Sequence, residues 1–175
     1  MSRQKILIRL IKYILLICVL IIILNIVFSF FTINYSNSYP LGFYFNKNFE
    51  NIERGKLYTF CPEYDEKMQF AEENGFWGKI DKSCGRTPKY LKKALGLPYD
   101  KIIIKDNGVY INDKLIPNTE IILKNKVYNK DIEFILKADE YFMLSDYNKY
   151  SYDSRYFGII KKYQIKKELV PVLVS

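Results

Sequence analysis

The chain has 175 residues, 27 basic against 19 acidic, a formal net charge of +8 and not one histidine. That length suits one ordinary domain plus an anchor and is too short for two domains with independent cores. Without histidine neither a Ser-His-Asp triad nor a histidine-based metal site can be built, so acid or base catalysis falls to lysine, carboxylate, tyrosine or cysteine.

Arg3, Lys5, Arg9 and Lys12 supply half of the net charge before any acidic residue appears. The later lysines are scattered among Asp and Glu, which is not the clustered footprint of a nucleic-acid binder, and no nucleic-acid partner is expected. Residues 13–33 are apolar except for Asn25, Ser29 and Thr32, about the 20 residues that cross a hydrocarbon core of roughly 30 Å. This predicts one transmembrane helix over 13–33 behind a basic cytoplasmic N-terminus of residues 1–12. The positive-inside bias then sends residues 34–175 across the membrane. The expected location is the inner (cytoplasmic) membrane, single-pass, with a periplasmic domain and the lipid bilayer as one partner. A cleaved signal peptide is the alternative, since Ser36-x-Ser38 has the small-x-small form of a processing site; the apolar run, however, exceeds the ~7 to 15 residues of a signal h-region, and a retained anchor is the expected reading.

Cys18 falls inside the apolar run and reads as a small apolar residue. Cys61 and Cys84 lie in the exported part, where oxidation is available, and are candidates for a disulfide. Two free buried thiols remain the alternative, because spacing alone does not define a bridge.

After the anchor, short β-rich runs follow at 56–61, 90–97, 101–105, 108–111, 120–123, 140–144 and 170–174, separated by Pro, Gly, Asn and Asp punctuation such as Pro98, Asn107-Gly108 and Asn112-Asp113. The pattern predicts a largely antiparallel β domain. One stretch, 63–74, has helical character.

Three separated segments carry candidate chemistry: "SNSYPLG" from Ser36, "YLKKALGLPYDK" around Lys92, and "LSDYNKYSYDSRYFGII" from Leu144. Singly each has an ordinary reading: a turn serine, a solvated lysine, a structural Asp-x-Arg ion pair. Together, in this order, they resemble the motifs of the type I signal peptidase family of serine/lysine proteases, and within it the conjugal-transfer signal peptidases of the TraF type. Pro two residues after Ser38, followed by "LGFY", is similar to the TraF-type first box, "LKKALGLPYD" to the family's lysine box, and "SYDSRYFG" to its last box.

The resemblance implies a mainly β fold of the LexA/signal peptidase kind behind one N-terminal transmembrane helix. It makes Ser38 the nucleophile and Lys92 the general base, with Lys93 the basic residue that commonly follows. The Ser38 N–H and the Ser36 hydroxyl would form the oxyanion hole, Ser151 would orient the lysine, and Asp146, Asp153 and Arg155 would hold the last box together. No cofactor and no metal are implied. The partner implied is a membrane-held precursor polypeptide, such as a conjugative pilin, that is trimmed or cyclised. A general signal peptidase, or a catalytically silent membrane-tethered assembly protein, are the alternatives.

Elementary chemistry asks the same of these residues. A free lysine titrates near ~10.4 and must fall to ~7 to 8 to accept a proton from serine at neutral pH. Apolar neighbours, expected to be Leu91, Ala94 and Leu95, would supply the desolvation, and no carboxylate should touch Lys92. Tyr99 stands where the family's Pro-Gly-Asp turn usually has Gly, while the Asn148-Lys149-Tyr150 run in the last box and Tyr39 in the first differ from the housekeeping bacterial signal peptidases, departures that favour the TraF-type branch. With no glycine to take a positive φ, the turn after Lys92 is expected to differ in shape.

Overall fold

A computed structural model describes residues 3–76, 78, 80–123 and 132–175; Met1 and Ser2 of the expected basic N-terminus lie outside them. Helix α1 spans Arg3–Ser29. Its stretch Ile6–Ser29 has a mean hydropathy of 2.9 and is nowhere covered by the rest of the chain, and at 1.5 Å per residue it is about 36 Å long, enough to cross a bilayer core. The helix thus begins and ends earlier than the expected 13–33. It stops where Asn46 Nδ2 donates to the Ser29 carbonyl and Phe31–Asn34 turn into strand β1. Apolar residues continue past Ser29 to Ile33 with only Thr32 between, so hydropathy alone does not place that boundary.

Strand β1 pairs with β2 (Gly42–Lys47), Asn34 opposite Gly42. The remaining strands are β3 (Leu57–Phe60), β4 (Tyr90–Gly96), β5 (Lys101–Lys105), β6 (Gly108–Ile111), β7 (Lys114–Leu115), β8 (Ile132–Ile135), β9 (Glu140–Leu144), β10 (Ile160–Lys161) and β11 (Ile165–Val174). Among the described residues they form two antiparallel sheets, ordered β1-β2-β11-β3-β4-β9-β10 and β7-β6-β5-β8. Alternation is replaced by continuous burial in β4 and β9, which lie inside the large sheet. The main core gathers Tyr58, Phe60, Met68, Ile102, Phe142 and Leu144. A second cluster takes Tyr44 from β2, Leu169 from β11, Leu91 from β4 and Tyr39 from the β1–β2 loop. One buried side chain from each of several neighbouring strands therefore lies beneath the loop that carries Ser38.

Among the described residues the expected strand at 120–123 forms no ladder. Its backbone is tied singly: the Ile121 N–H donates to the Asp106 carbonyl, the N–H groups of Ile122 and Leu123 donate to the Tyr156 hydroxyl, and Arg155 donates to the Glu120 carbonyl. The helical stretch expected at 63–74 is α2, Glu66–Glu73, started by the Asp65 carboxylate accepting from the N–H groups of Lys67 and Met68.

Cys61 and Cys84 are joined as a disulfide, closing the segment that contains α2. From that segment a column of stacked rings, Phe70, Phe76, Tyr152 and Tyr156, runs through the last box.

In the turn after β4 a positive φ is present at the position where the family pattern has glycine. Tyr99 itself takes the left-handed conformation, φ +69°, and is exposed. The turn is held by Asp100, which accepts from Leu97 N–H, Arg54 and Asn112.

Candidate active site

The loop between β1 and β2 is short, and its return is set by Gly42, φ +136°, where a Cβ would lie 2.1 Å from the Leu173 carbonyl oxygen of β11. Asn34, buried at the end of β1, organises the loop from within. Its Nδ2 lies 3.0 Å from the carbonyls of Ser36, Tyr39 and Pro40, and its Oδ1 accepts from both the N–H and the hydroxyl of Ser36. This side chain does for the loop what a strand ladder would otherwise do.

Ser38 projects from that loop toward Lys92 of β4, whose Nζ lies 2.8 Å from Ser38 Oγ. Lys92 is 2 % exposed. Strand alternation puts Tyr90, Lys92 and Ala94 on one face; the ammonium lies 5.6 Å from the Tyr90 ring, and Tyr58 stands opposite in register. Leu91, expected among the desolvating neighbours, belongs instead to the cluster with Tyr39, Tyr44 and Leu169. Burial pulls the Lys92 pKa from 10.5 down to about 8; the Asp153 carboxylate opposes this at longer range and Arg155 assists it. Among the described residues no carboxylate forms an ion pair with Lys92. Asp153 is taken by Arg155, at 2.8 Å with both side chains fully buried.

The last box follows β9. Ser151 Oγ lies 3.3 Å from Ser38 Oγ, so the residue expected to orient the lysine contacts the serine, and its link to Lys92 runs through that oxygen. Its own carbonyl accepts from Arg155 Nη2 at 2.9 Å. Asp146 pairs with Lys93 at 2.8 Å, and the Tyr39 hydroxyl lies 3.0 Å from both the Asp146 carboxylate and the Leu144 carbonyl. Burial, then the Asp146 charge, pushes the Tyr39 pKa far up, so Tyr39 stays a neutral donor. The Ser36 hydroxyl, the second expected oxyanion donor, is turned onto Asn34 in this structure. An open depression of about 510 Å³ beside the serine is lined by Asn37, Tyr39 and Leu41 on one side and by Tyr147 and Asn148 on the other.

A hydroxyl 2.8 Å from a desolvated amine is the arrangement for general-base activation of a serine. The model of the signal peptidase, peptidase S26 family matches residues 7–173. The chain belongs to that family. A plasmid transfer protein TraF from Escherichia coli is 30 % identical over 147 residues, covering 81 % of each chain. A signal peptidase I from Rickettsia prowazekii is 32 % identical over 91 residues, which is 52 % of this chain and 29 % of that protein. Among solved structures, a signal peptidase I from Enterococcus faecalis V583 aligns over 70 % of this chain and 100 % of its own at 21 % identity, with a TM-score of 0.42.

Membership makes the chain a serine peptidase of the signal peptidase type, and α1 supplies a helix long and apolar enough to anchor it. Two residues that shape the site escaped the sequence reading. Asn34 was visible only as a polar residue after an apolar run. Ser145, fully buried, donates from Oγ to the Ser38 carbonyl at 2.7 Å; its position directly after the apolar run of β9 was the one available signal.

Proposed function

We propose that this signal peptidase family member is a Ser/Lys endopeptidase, with Ser38 as nucleophile and Lys92 as general base, that processes a membrane-held exported precursor of the conjugative pilin kind. The observation that carries the reading is the 2.8 Å approach of Lys92 Nζ to Ser38 Oγ at a lysine whose ammonium is disfavoured by burial. Neutral Lys92 takes the Ser38 proton as the oxygen attacks the scissile carbonyl. The resulting oxyanion is received by the Ser38 N–H, and by the Ser36 hydroxyl once it rotates away from Asn34. Lys92, now an ammonium, returns the proton to the leaving amine, and the acyl-enzyme is then resolved by water or by an amine of the substrate.

Membrane placement supports the substrate class. Ser38 is nine residues beyond the end of α1, and with the N-terminus cytoplasmic the site lies on the outer side of the inner membrane. A precursor anchored in the same bilayer meets it by lateral search with its scissile bond already oriented. The overall likeness to the plasmid transfer protein TraF favours a conjugation substrate; the shorter likeness to signal peptidase I favours a secretory precursor as the second reading.

The test is co-expression of a membrane-anchored pilin precursor with wild type, Ser38→Ala or Lys92→Ala, followed by intact-mass analysis. Processing by the wild type alone supports the assignment. A product lighter than the linear chain by one water identifies cyclisation, and processing of a secretory precursor alone supports the second reading. Equal processing by all three enzymes sinks the Ser/Lys mechanism and leaves an assembly role.

A further inference from the structure

The turn that follows β9 holds the serine loop by two consecutive carbonyls. Ser145 Oγ donates to the Ser38 carbonyl at 2.7 Å and accepts from the N–H groups of Tyr147 and Asn148, closing the turn on itself. At the other end of the turn Asn148 Nδ2 donates to the Asn37 carbonyl at 2.9 Å. The orientation of that amide is fixed independently, because Asn148 Oδ1 accepts from the Tyr150 N–H at 2.9 Å, which leaves Nδ2 to face Asn37. Behind the turn stands the buried ion pair, since Ser145 N–H donates to Asp153.

The Asn37 carbonyl and the Ser38 N–H belong to one peptide unit. That unit is planar, and in its trans form the oxygen and the hydrogen point in opposite directions, so holding the oxygen aims the hydrogen. Among the described residues the Ser38 N–H has no hydrogen-bond partner, which leaves it free to receive an oxyanion. Asn37 and Asn148 both line the open depression where substrate would lie.

We propose that Asn148 is a positioning residue for the oxyanion hole, its side-chain amide locking the Asn37–Ser38 peptide plane so that the Ser38 N–H faces the reacting carbonyl. This deepens the Ser38 reading and rests on it. Loss of a direct oxyanion donor costs about 10²- to 10³-fold in kcat; releasing a plane that can still visit the right orientation costs less, about 10- to 100-fold.

Asn148→Asp separates this role from a merely structural one. The Asp oxygen still accepts from Tyr150 N–H and preserves the local turn, but nothing is left to donate to the Asn37 carbonyl. Asn148→Ala removes the donor without adding charge. The measurement is kcat and KM for cleavage of a membrane-anchored precursor by full-length enzyme in detergent, with Ser38→Ala as control. The expected result is a 10- to 100-fold fall in kcat for both variants with KM within about threefold. Full activity in both overturns the inference. Activity lost in Asn148→Ala but kept in Asn148→Asp assigns Asn148 to turn structure alone, and the reverse pattern assigns the effect to the added charge; either also overturns it. Processing by Ser38→Ala would instead defeat the underlying Ser38 reading, a result distinct from the others.

Discussion

Replacing Lys92 by Met should stabilise the protein at neutral pH while abolishing its activity. Burial lowers the Lys92 pKa from 10.5 to about 8, and at about 1.4 kcal/mol per unit the folded state disfavours the ammonium by about 3 kcal/mol. The sign follows from linkage. Below about 8 the folded ammonium carries the full cost, and above 10.5 both folded and unfolded lysines are neutral and the cost is gone, so this residue makes the wild type gain stability as pH rises through that window. Met is unbranched, apolar and of similar length, so it fills the same space without the charge. Lys56, Lys101 and Lys161, shifted up by their carboxylate partners, and the buried tyrosines Tyr90 and Tyr152, shifted up chiefly by burial, titrate in both proteins and cancel in the difference. Urea unfolding of wild type and Lys92→Met at pH 7 and pH 9.5 is the assay. The stability gap favouring the variant should shrink by about 2 kcal/mol between the two pH values. Parallel curves would show that Lys92 is not desolvated and would refute the reasoning.

Other substitutions test the scaffold. Tyr99 is exposed and holds φ +69°, so Tyr99→Gly should stabilise by about 1 kcal/mol in thermal unfolding, the left-handed strain of an L-residue less the extra entropy of glycine. Gly42→Ala would bring a Cβ to 2.1 Å from a β11 carbonyl and should cost about 3 kcal/mol and displace the serine loop, read as loss of both denaturant midpoint and cleavage rate. Arg155→Met strands the Asp153 carboxylate in a fully buried site and should cost about 3 to 5 kcal/mol by denaturant titration. Opening the Cys61–Cys84 bridge, which closes a sequence separation of 23, should cost about 3 kcal/mol, measured by unfolding with and without reductant.

The fold was legible where one residue type decides an element. Lys101–Lys105, Gly108–Ile111 and Glu140–Leu144 carry dense β-formers between turn residues, and they are strands at the expected limits. Legibility failed where a boundary depends on a distant contact. The end of α1 depends on Asn46, 17 residues further along, and the segment at 120–123 is tied to Asp106, Tyr156 and Arg155 instead of to a neighbouring strand. In the site, the resemblance in residue types and order pointed to Ser38, Lys92 and Ser151, and the structure brings these side chains together. Their mutual geometry was not legible, because it depends on loop ties made by Asn34 and Ser145, whose side chains look like ordinary turn formers in a linear sequence. Tyr99 shows the limit of reasoning from propensity: a turn fixed by Asp100 imposes a positive φ on a residue that disfavours it.

The pH dependence of single-turnover cleavage tests the central claim most directly. A membrane-anchored precursor cleaved by full-length enzyme should show kcat/KM rising with pH along an acid limb centred near the Lys92 pKa of about 8, since only neutral Lys92 accepts the Ser38 proton. Lys92→Ala should be inactive at every pH. A limb centred between pH 4 and 5, where carboxylates titrate, or cleavage retained by Lys92→Ala, would contradict the account.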